Sequence, residues 1–504
     1  MLGLLSILII ALELFGVTSA FTVAEVCQQL QKKFSAQILT PGSSNYTDEV
    51  DAYWSLAAWL EPPCVFTPAN TQELADGVKI LVKTNTTFAV RSGGHAPVTG
   101  LASTNHGVLI AMTHFTEKKI VGMPNALGAP YFRNGAANRW GEVYEYLEPH
   151  GLAVVGGRIW PVGSALLLGG GISYFSQQKG WASNNVVNYE LVTASGSILQ
   201  VNAKSYPDLF WALKGSSNNF GIVTRYDLKT HKQGKIFGFD RAWAPTSMSK
   251  FSEAMTSWMA PGGGHEDKKG ALMPSTQYTP ASDRLDPSLV AVYDAPVENP
   301  AAFKNFTDIA NFTDLGTGVQ NLTSLVRQTI GYQARVFRWK WYVTSIKFSN
   351  ETMPIVIDTM VDVAKELIPQ FNGFVGTAEE PITADHLAAA RANGGDPMDL
   401  DPANGGVFFA LYYAAYTDPA DDDKAENYLQ TLISRVESTT KAKGLYYPYY
   451  FFNNLGIKQE PFKFYGGGKS LPKLKIISKK YDPLGVFQKL VPGFKLGTGA
   501  LDGA

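Results

Sequence analysis

Arg91-Ser-Gly-Gly-His95 stands at the end of the short apolar run Phe88-Ala-Val-Arg91, and Gly169-Gly-Gly171-Ile-Ser173 follows the apolar run Ala165–Leu168. A third small-residue loop, Gly215-Ser-Ser-Asn-Asn219, leads through Phe220 into Gly221-Ile-Val-Thr224. Two adjacent glycines after a strand let main-chain N–H groups converge on an anion, as phosphate-binding nests do, and Arg91 adds charge there. Three glycines in a row permit flat, close approach of backbone to a ligand. The triple glycine is not the G-x-G-x-x-G fingerprint of a dinucleotide-binding βαβ unit. Singly, each loop is also compatible with an ordinary turn. Together, three such loops, each expected at a strand end, suit the clasping of one extended cofactor.

The flanking segments predict an α+β pattern. Thr71–Lys83 carries an apolar stripe at Leu74, Val78, Leu81 and Val82, the spacing of a helix. Phe88–Arg91, Val108–Met112, Leu152–Val155, Tyr189–Thr193, Ile198–Val201 and Gly221–Leu228 read as strands. Arg139–His150, stopped by Gly151, and Tyr206–Leu213 read as helices. Composition shifts after residue 232. Arg335–Phe348 alternates Phe337, Trp339, Trp341 and Val343 with Arg338, Lys340 and Tyr342, which predicts a half-buried strand. Pro354–Ile368 is a helix opened by its proline. Ala392–Gly406 is a long loop, Val407–Tyr416 an aromatic strand, and Asp421–Lys443 a long helix ended by Gly444. Residues 21–232 are thus expected as one unit, 233–445 as a second unit with an antiparallel sheet flanked by helices, and 446–504 as a C-terminal segment.

Composition narrows the partners. Of 504 residues, 43 are Lys or Arg and 44 Asp or Glu, a net charge of −1. Without a basic excess, nucleic acid is not an expected partner. Apolar residues make up 45 % and aromatic ones 12 % of the chain, enough for large cores. Residues 1–20 read as a signal peptide cut after Ala20, with Thr18 as the second small residue, although no Lys or Arg precedes the apolar run. A buried N-terminal helix or a membrane anchor is the alternative. After signal removal no membrane span is expected. Six N-x-[ST] sequons, at Asn45, Asn85, Asn305, Asn311, Asn321 and Asn350, agree with a secreted glycoprotein. Cys27 and Cys64 are the two cysteines and most simply form one disulfide in an oxidising compartment, the alternative being two buried thiols. No metal-ligand spacing is legible among the histidines and cysteines, so no metal site is expected.

In this order the motifs resemble the flavoprotein superfamily of vanillyl-alcohol oxidase and p-cresol methylhydroxylase, in its berberine-bridge-enzyme-like branch of secreted fungal FAD-linked oxidoreductases. The likeness runs from about residue 27 to 496. It rests on the R-S-G-G-H loop, Gly151–Arg158, the triple glycine, W-A-L-K-G with N-F-G-I-V-T, and the tail Y-D-P-x-G-V-F-Q with P-G-F-K-L. The resemblance implies a two-part PCMH-type FAD-binding domain over residues 21–232, a substrate domain over 233–445, and a C-terminal segment that returns to the FAD domain. It implies that His95 bonds covalently to the flavin 8α-methyl carbon and that Arg91, Ser92, Gly93 and Gly94 form the pyrophosphate loop. It also implies that Gly169, Gly170 and Gly171 and Gly221, Ile222 and Val223 contact flavin. Asn453 in Phe451-Phe-Asn453 matches the asparagine of a Y-x-N segment whose tyrosine is here Phe451. Some relatives make a second flavin bond through a cysteine upstream of the triple glycine. Gly157-Arg-Ile-Trp-Pro-Val-Gly163 holds none, so a single link through His95 is expected.

The function so implied is oxidation of a small apolar alcohol or natural-product intermediate by hydride transfer to covalently bound FAD, in secondary metabolism, with dioxygen as acceptor. Carbohydrate oxidation, a dehydrogenase with another acceptor, and a secreted flavin-fold binding glycoprotein are the alternatives. A base is expected on the aromatic strand. Side chains alternate, so Leu411 and Tyr413 share one face and Tyr412 and Tyr416 the other. The relatives' base lies near Leu411, which favours Tyr413, with Tyr449 as second choice. An ordinary core or rim tyrosine is the competing reading of each.

Overall fold

The structure is a computed structural model that describes residues 21–122, 130–330, 335–497 and 499–501; the expected signal peptide, residues 1–20 with Thr18 and Ala20, lies outside them. Ile38–Leu39 (β1), Cys64–Phe66 (β2), Phe88–Arg91 (β3) and Val108–Ala111 (β4) form a sheet in the order β1-β2-β4-β3. β2, β4 and β3 run parallel, and a parallel return needs a crossover. Thr71–Lys83 supplies it, with Leu74, Val78 and Leu81 buried and the Asn70 side chain accepting from the Glu73 N–H at 3.0 Å. The R-S-G-G-H loop therefore leaves the carboxyl end of a parallel strand, the edge where open sheets bind ligands.

Lys118–Val121 (β5), Tyr131–Gly135 (β6), Leu152–Val154 (β7), Val186–Val192 (β8), Ile198–Val201 (β9) and Ile222–Lys232 (β10) form a second, antiparallel sheet in the order β5-β6-β10-β8-β9, with β7 also on β10. The third sheet comprises Ile236–Trp243 (β11), Gly270–Thr279 (β12), Arg284–Tyr293 (β13), Phe312–Gln320 (β14), Arg338–Lys347 (β15), Gly373–Ile382 (β16), Val407–Tyr416 (β17) and Tyr446–Tyr447 (β18). Its order is β14-β11-β13-β12-β16-β17-β15-β18. Helices Met248–Met259, Thr352–Leu367 and Asp422–Ala442 bury their apolar stripes on one face of this sheet. The opposite face meets the other sheets, where Phe409 stacks on Trp181 at 6.2 Å. The fold is thus of the expected α+β class, with a mostly antiparallel sheet content.

Three local expectations are corrected. The triple glycine follows a 3-10 turn, Ser164–Gly169, and not a strand end. The carbonyls of Leu166 and Leu168 point sideways to Asn453 and Ser217, so no ladder partner can pair them. The 354–368 helix begins two residues before Pro354, at Thr352. The strand read as Gly221–Leu228 runs on to Lys232 because its far end pairs with β7. On β15 the tryptophan face is only half buried, whereas the face of Arg338, Lys340 and Tyr342 lies under the helix Asp422–Ala442. Arg338 there bonds Asp422 at 2.7 Å, and Lys340 and Tyr342 reach Glu426.

Cys27 and Cys64 are disulfide-bonded, tying the helix Val23–Lys33 to β2. A closed loop of sequence separation 37 is worth about 4 kcal/mol in the chain-entropy treatment. The double variant Cys27→Ser/Cys64→Ser is therefore expected to lose about that much in urea unfolding, as a lower midpoint at similar slope. An unchanged midpoint would contradict it.

Candidate functional site

The histidine loop is held by backbone contact. A Cβ on Gly93 would stand 2.5 Å from Gly163 Cα, and one on Gly163 would stand 2.7 Å from Gly93 Cα. Only glycine at both positions lets these two chains touch. Ser92 donates to the Ala136 carbonyl. Arg91 is buried and paired with Glu49. Burial, with Arg139 and Arg335 nearby, pulls the Arg91 guanidinium down to about 10, still charged at neutral pH. Arg139 bonds the Gly93 carbonyl at 3.2 Å and is itself pulled down by burial and by Arg335. Arg139 and Arg335 thus bring positive charge near the loop, a setting that suits an anion. Sequence reasoning missed Arg139, because a lone basic residue before a helix reads as surface. The His95 ring lies parallel to the Trp54 indole, 4.6 Å between centroids and 8° between planes.

The second element is the triple glycine. Gly170 and Gly171 adopt φ of +98° and +77°, values that favour glycine. Asn453 straps this turn from the far end of the chain. Its Oδ1 accepts from the Gly171 N–H at 3.2 Å and its Nδ2 donates to the Leu166 carbonyl at 3.1 Å. The Ser183 and Ser217 N–H groups donate to the carbonyls of Gly170 and Leu168, each at 2.9 Å. Asn218 and Asn219 donate in turn to the carbonyls of Pro492 and Phe494, at 2.7 and 3.0 Å. Residues 166–171, 183, 215–219, 453 and 492–494 are thus one assembly. Gly221, Ile222 and Val223 enter β10, where Ile222 and Val223 pair with Val192 and Leu191, so their main chain is engaged in the sheet. The hydroxyls of Ser183 and Ser216 are fully buried without a protein partner. A buried hydroxyl left without a partner is costly, so these two fit contact with a polar ligand. Two partnerless hydroxyls, close backbone turns and the Arg139 charge fit a flavin nucleotide.

Asn453→Ala removes both strap bonds and leaves a buried N–H and C=O unpaired. The expected loss is about 1–3 kcal/mol, read as a lowered melting temperature. An unchanged melt would show that the strap is not needed.

The third element is the inner face of the eight-stranded sheet. Leu411 and Tyr413 are half-buried on that face, whereas Tyr412 is fully buried against the helix Thr352–Leu367, its hydroxyl 3.5 Å from the Val356 carbonyl. Tyr413 is hydrogen-bonded to Ser275 at 3.0 Å, and its ring packs on Trp339 at 5.7 Å and Phe374 at 6.4 Å. Trp341 lies directly opposite Tyr413 on β15. Burial pushes the Tyr413 phenol up to about 12, only partly offset by Ser275. A standing base needs the opposite shift. Tyr449 is fully buried between Phe409, at 5.2 Å, and Tyr465, at 6.0 Å, and burial raises its pKa well above the ordinary value. Arg158 forms an ion pair with Glu380 of β16, one contact at 2.7 Å, which joins the segment before the triple glycine to the eight-stranded sheet. Among the described residues no group of three or more His, Cys, Asp or Glu is placed to hold a metal ion, and no helix is long and apolar enough to cross a membrane.

Asn45, Asn85, Asn305, Asn311 and Asn350 are exposed. Asn321 is half-buried and its Nδ2 donates to Glu148 at 2.9 Å.

Residues 62–202 match the sequence profile of the family described as FAD binding domain. The FAD-dependent monooxygenase prx3 of Penicillium roqueforti is 36 % identical over 94 % of this chain and 94 % of its own. The bifunctional solanapyrone synthase of Alternaria solani is 33 % identical over 93 % of this chain and 88 % of its own. Among solved structures, glucooligosaccharide oxidase of Acremonium strictum, described with a 6-S-cysteinyl, 8α-N1-histidyl FAD, superposes with a TM-score of 0.71 at 14 % identity, over 92 % of this chain and 97 % of that one.

Proposed function

Because this chain belongs to the FAD-dependent oxidoreductases that include these fungal monooxygenases, within the berberine-bridge-enzyme-like branch of the vanillyl-alcohol oxidase superfamily, we propose that it oxidises a small, ring-containing apolar alcohol or natural-product intermediate. Its role is secondary metabolism, its electron acceptor dioxygen, and its FAD is held by one covalent bond to His95. The observation that carries the substrate class is the wall around Tyr413. Trp339, Trp341, Phe374 and Leu411 offer flat apolar surface, while Tyr413 and Ser275 offer the polar contact. A sugar needs a fence of hydrogen-bonding groups. Here the two polar side chains are already bonded to each other, and Glu380 is held by Arg158.

The flavin, when bound, supplies the hydride acceptor. The glycine turns and Arg139 hold its phosphate-bearing part, and His95 holds its ring. The tryptophan wall orients the substrate and excludes water. Tyr413 in its ionised form takes the proton of the substrate hydroxyl onto its phenolate oxygen, and Ser275 donates a hydrogen bond that favours that form. The absence of a cysteine between Gly157 and Gly163 supports a single link. Adding ring-bearing apolar alcohols and oligosaccharides separately to the yellow protein without air tests this reading. The apolar alcohols are expected to bleach it, and air to restore the colour with release of peroxide. Bleaching by the oligosaccharides alone would overturn the substrate class.

We infer further that the chain is secreted and glycosylated. The support is the leader-like start, the disulfide and five exposed sequons. Peptide mapping of protein from a secreting fungal host is expected to find glycan at exposed sequons and Asn321 unmodified, since its amide is bonded to Glu148. A fully occupied Asn321 would contradict that bond.

A further inference from the structure

The segment Ala52–Trp59 is a strap between two parts of the molecule. Toward the histidine loop, the Trp54 N–H donates to the Gly94 carbonyl at 2.8 Å, and a Cβ on Gly94 would meet the Ala52 carbonyl oxygen at 2.4 Å. The Tyr53 hydroxyl donates to the Ala102 carbonyl at 2.7 Å, and Thr99 donates to the Ala57 carbonyl at 2.9 Å. Toward the eight-stranded sheet, the Leu56 N–H donates to the Phe337 carbonyl at 3.0 Å, and the Trp339 N–H donates to the Ser55 hydroxyl at 3.0 Å. The rings repeat this bridge. Trp54 lies flat on His95 on one side and stacks on Trp339 on the other, 4.5 Å between centroids and 26° between planes, with Trp341 at 5.9 Å. Trp54 is 9 % exposed. The same segment lies inside the loop closed by the Cys27–Cys64 disulfide, which also carries Glu49, the partner of Arg91.

A ring clamped between two others has one allowed plane, and a group stacked on it shares that plane. We propose that Trp54 is a positioning residue for covalent attachment of the flavin, setting the plane of the His95 imidazole, with Trp339 as its brace from the substrate side. The proposal rests on the His95 link put forward above. In that attachment one imidazole N–H and one C–H of the flavin 8α-methyl group break, and a C–N bond forms between them. The two hydrogens with their electrons leave to dioxygen as hydrogen peroxide. The bond forms only where the imidazole nitrogen points at the methyl carbon, and a misplacement of about 1 Å can cost about a hundredfold in rate.

The full-length chain and its Trp54→Leu, Trp54→Phe and Trp339→Leu variants test this, harvested at one fixed time after expression. Three quantities are read: total bound FAD from the native spectrum, the fraction of flavin retained after acid precipitation, and the melting temperature. Trp54→Leu is expected to bind FAD but to retain at least about tenfold less of it covalently. Trp54→Phe, which restores a flat ring, is expected to keep the wild-type fraction. A wild-type fraction in Trp54→Leu, or equal losses in the Leu and Phe variants, would overturn the role. If Trp54→Leu does not fold, Trp339→Leu decides: a reduced covalent fraction supports the brace, and a wild-type fraction overturns it. A wild-type chain without covalent flavin would refute the His95 link itself.

Discussion

Replacing Tyr413 by Phe is expected to slow flavin reduction by a factor of about 100 to 10,000, the usual cost of losing a positioned proton-transfer group, while Tyr412→Phe is expected to leave it nearly unchanged. The two residues are neighbours on one strand, yet they lie in different surroundings. Tyr413 stands half-buried among Trp339, Phe374 and Ser275. Tyr412 is fully buried under a helix. The phenyl ring of the variant keeps the packing on Trp339, so the loss reports the hydroxyl. The pH dependence carries the same signature. Burial places the Tyr413 phenol at about 12, so the fraction able to accept a proton grows with pH throughout the neutral and mildly alkaline range. Wild-type reduction is therefore expected to accelerate as pH rises, and the Tyr413→Phe rate to respond less. Equal rates and equal pH profiles would move the proton-accepting role elsewhere, first to Tyr449.

His95→Ala is expected to abolish covalent attachment. The variant should still fold and take up FAD, because the glycine turns, Asn453 and Arg139 are untouched by the change. Its yellow colour should pass wholly into the supernatant on acid precipitation, and its turnover should fall. Colour retained in the pellet would mean that another side chain carries the flavin. A colourless variant would mean that the histidine loop, and not the bond alone, holds the cofactor.

Much of this was legible in the chain because it depends on local pattern. Period-two alternation placed Tyr413 and Tyr412 on opposite faces of Val407–Tyr416, and the structure has them there. Glycines next to apolar runs located the turns, and the two cysteines found each other. What stayed hidden depends on partners far away in sequence. Nothing near Arg91 announces that Glu49 takes its charge, or that Arg139 approaches the same loop. The alternation within Arg335–Phe348 announces a strand, which forms over Arg338–Lys347, but not what each face meets. A helix of acidic residues covers the charged face, and the tryptophan face looks inward to Trp54 and Tyr413. The turn at Ser164–Gly169 escaped because its carbonyls are engaged by Asn453 and Ser217, which no local pattern reveals.

The point at which the flavin is attached underlies both the site and the reaction proposed for it. A peptide map of the denatured wild-type protein is expected to show one flavin, as the mass of FAD less two hydrogens, on the peptide that carries His95 and on no other. Flavin mass on a different peptide, or none on any, would contradict it.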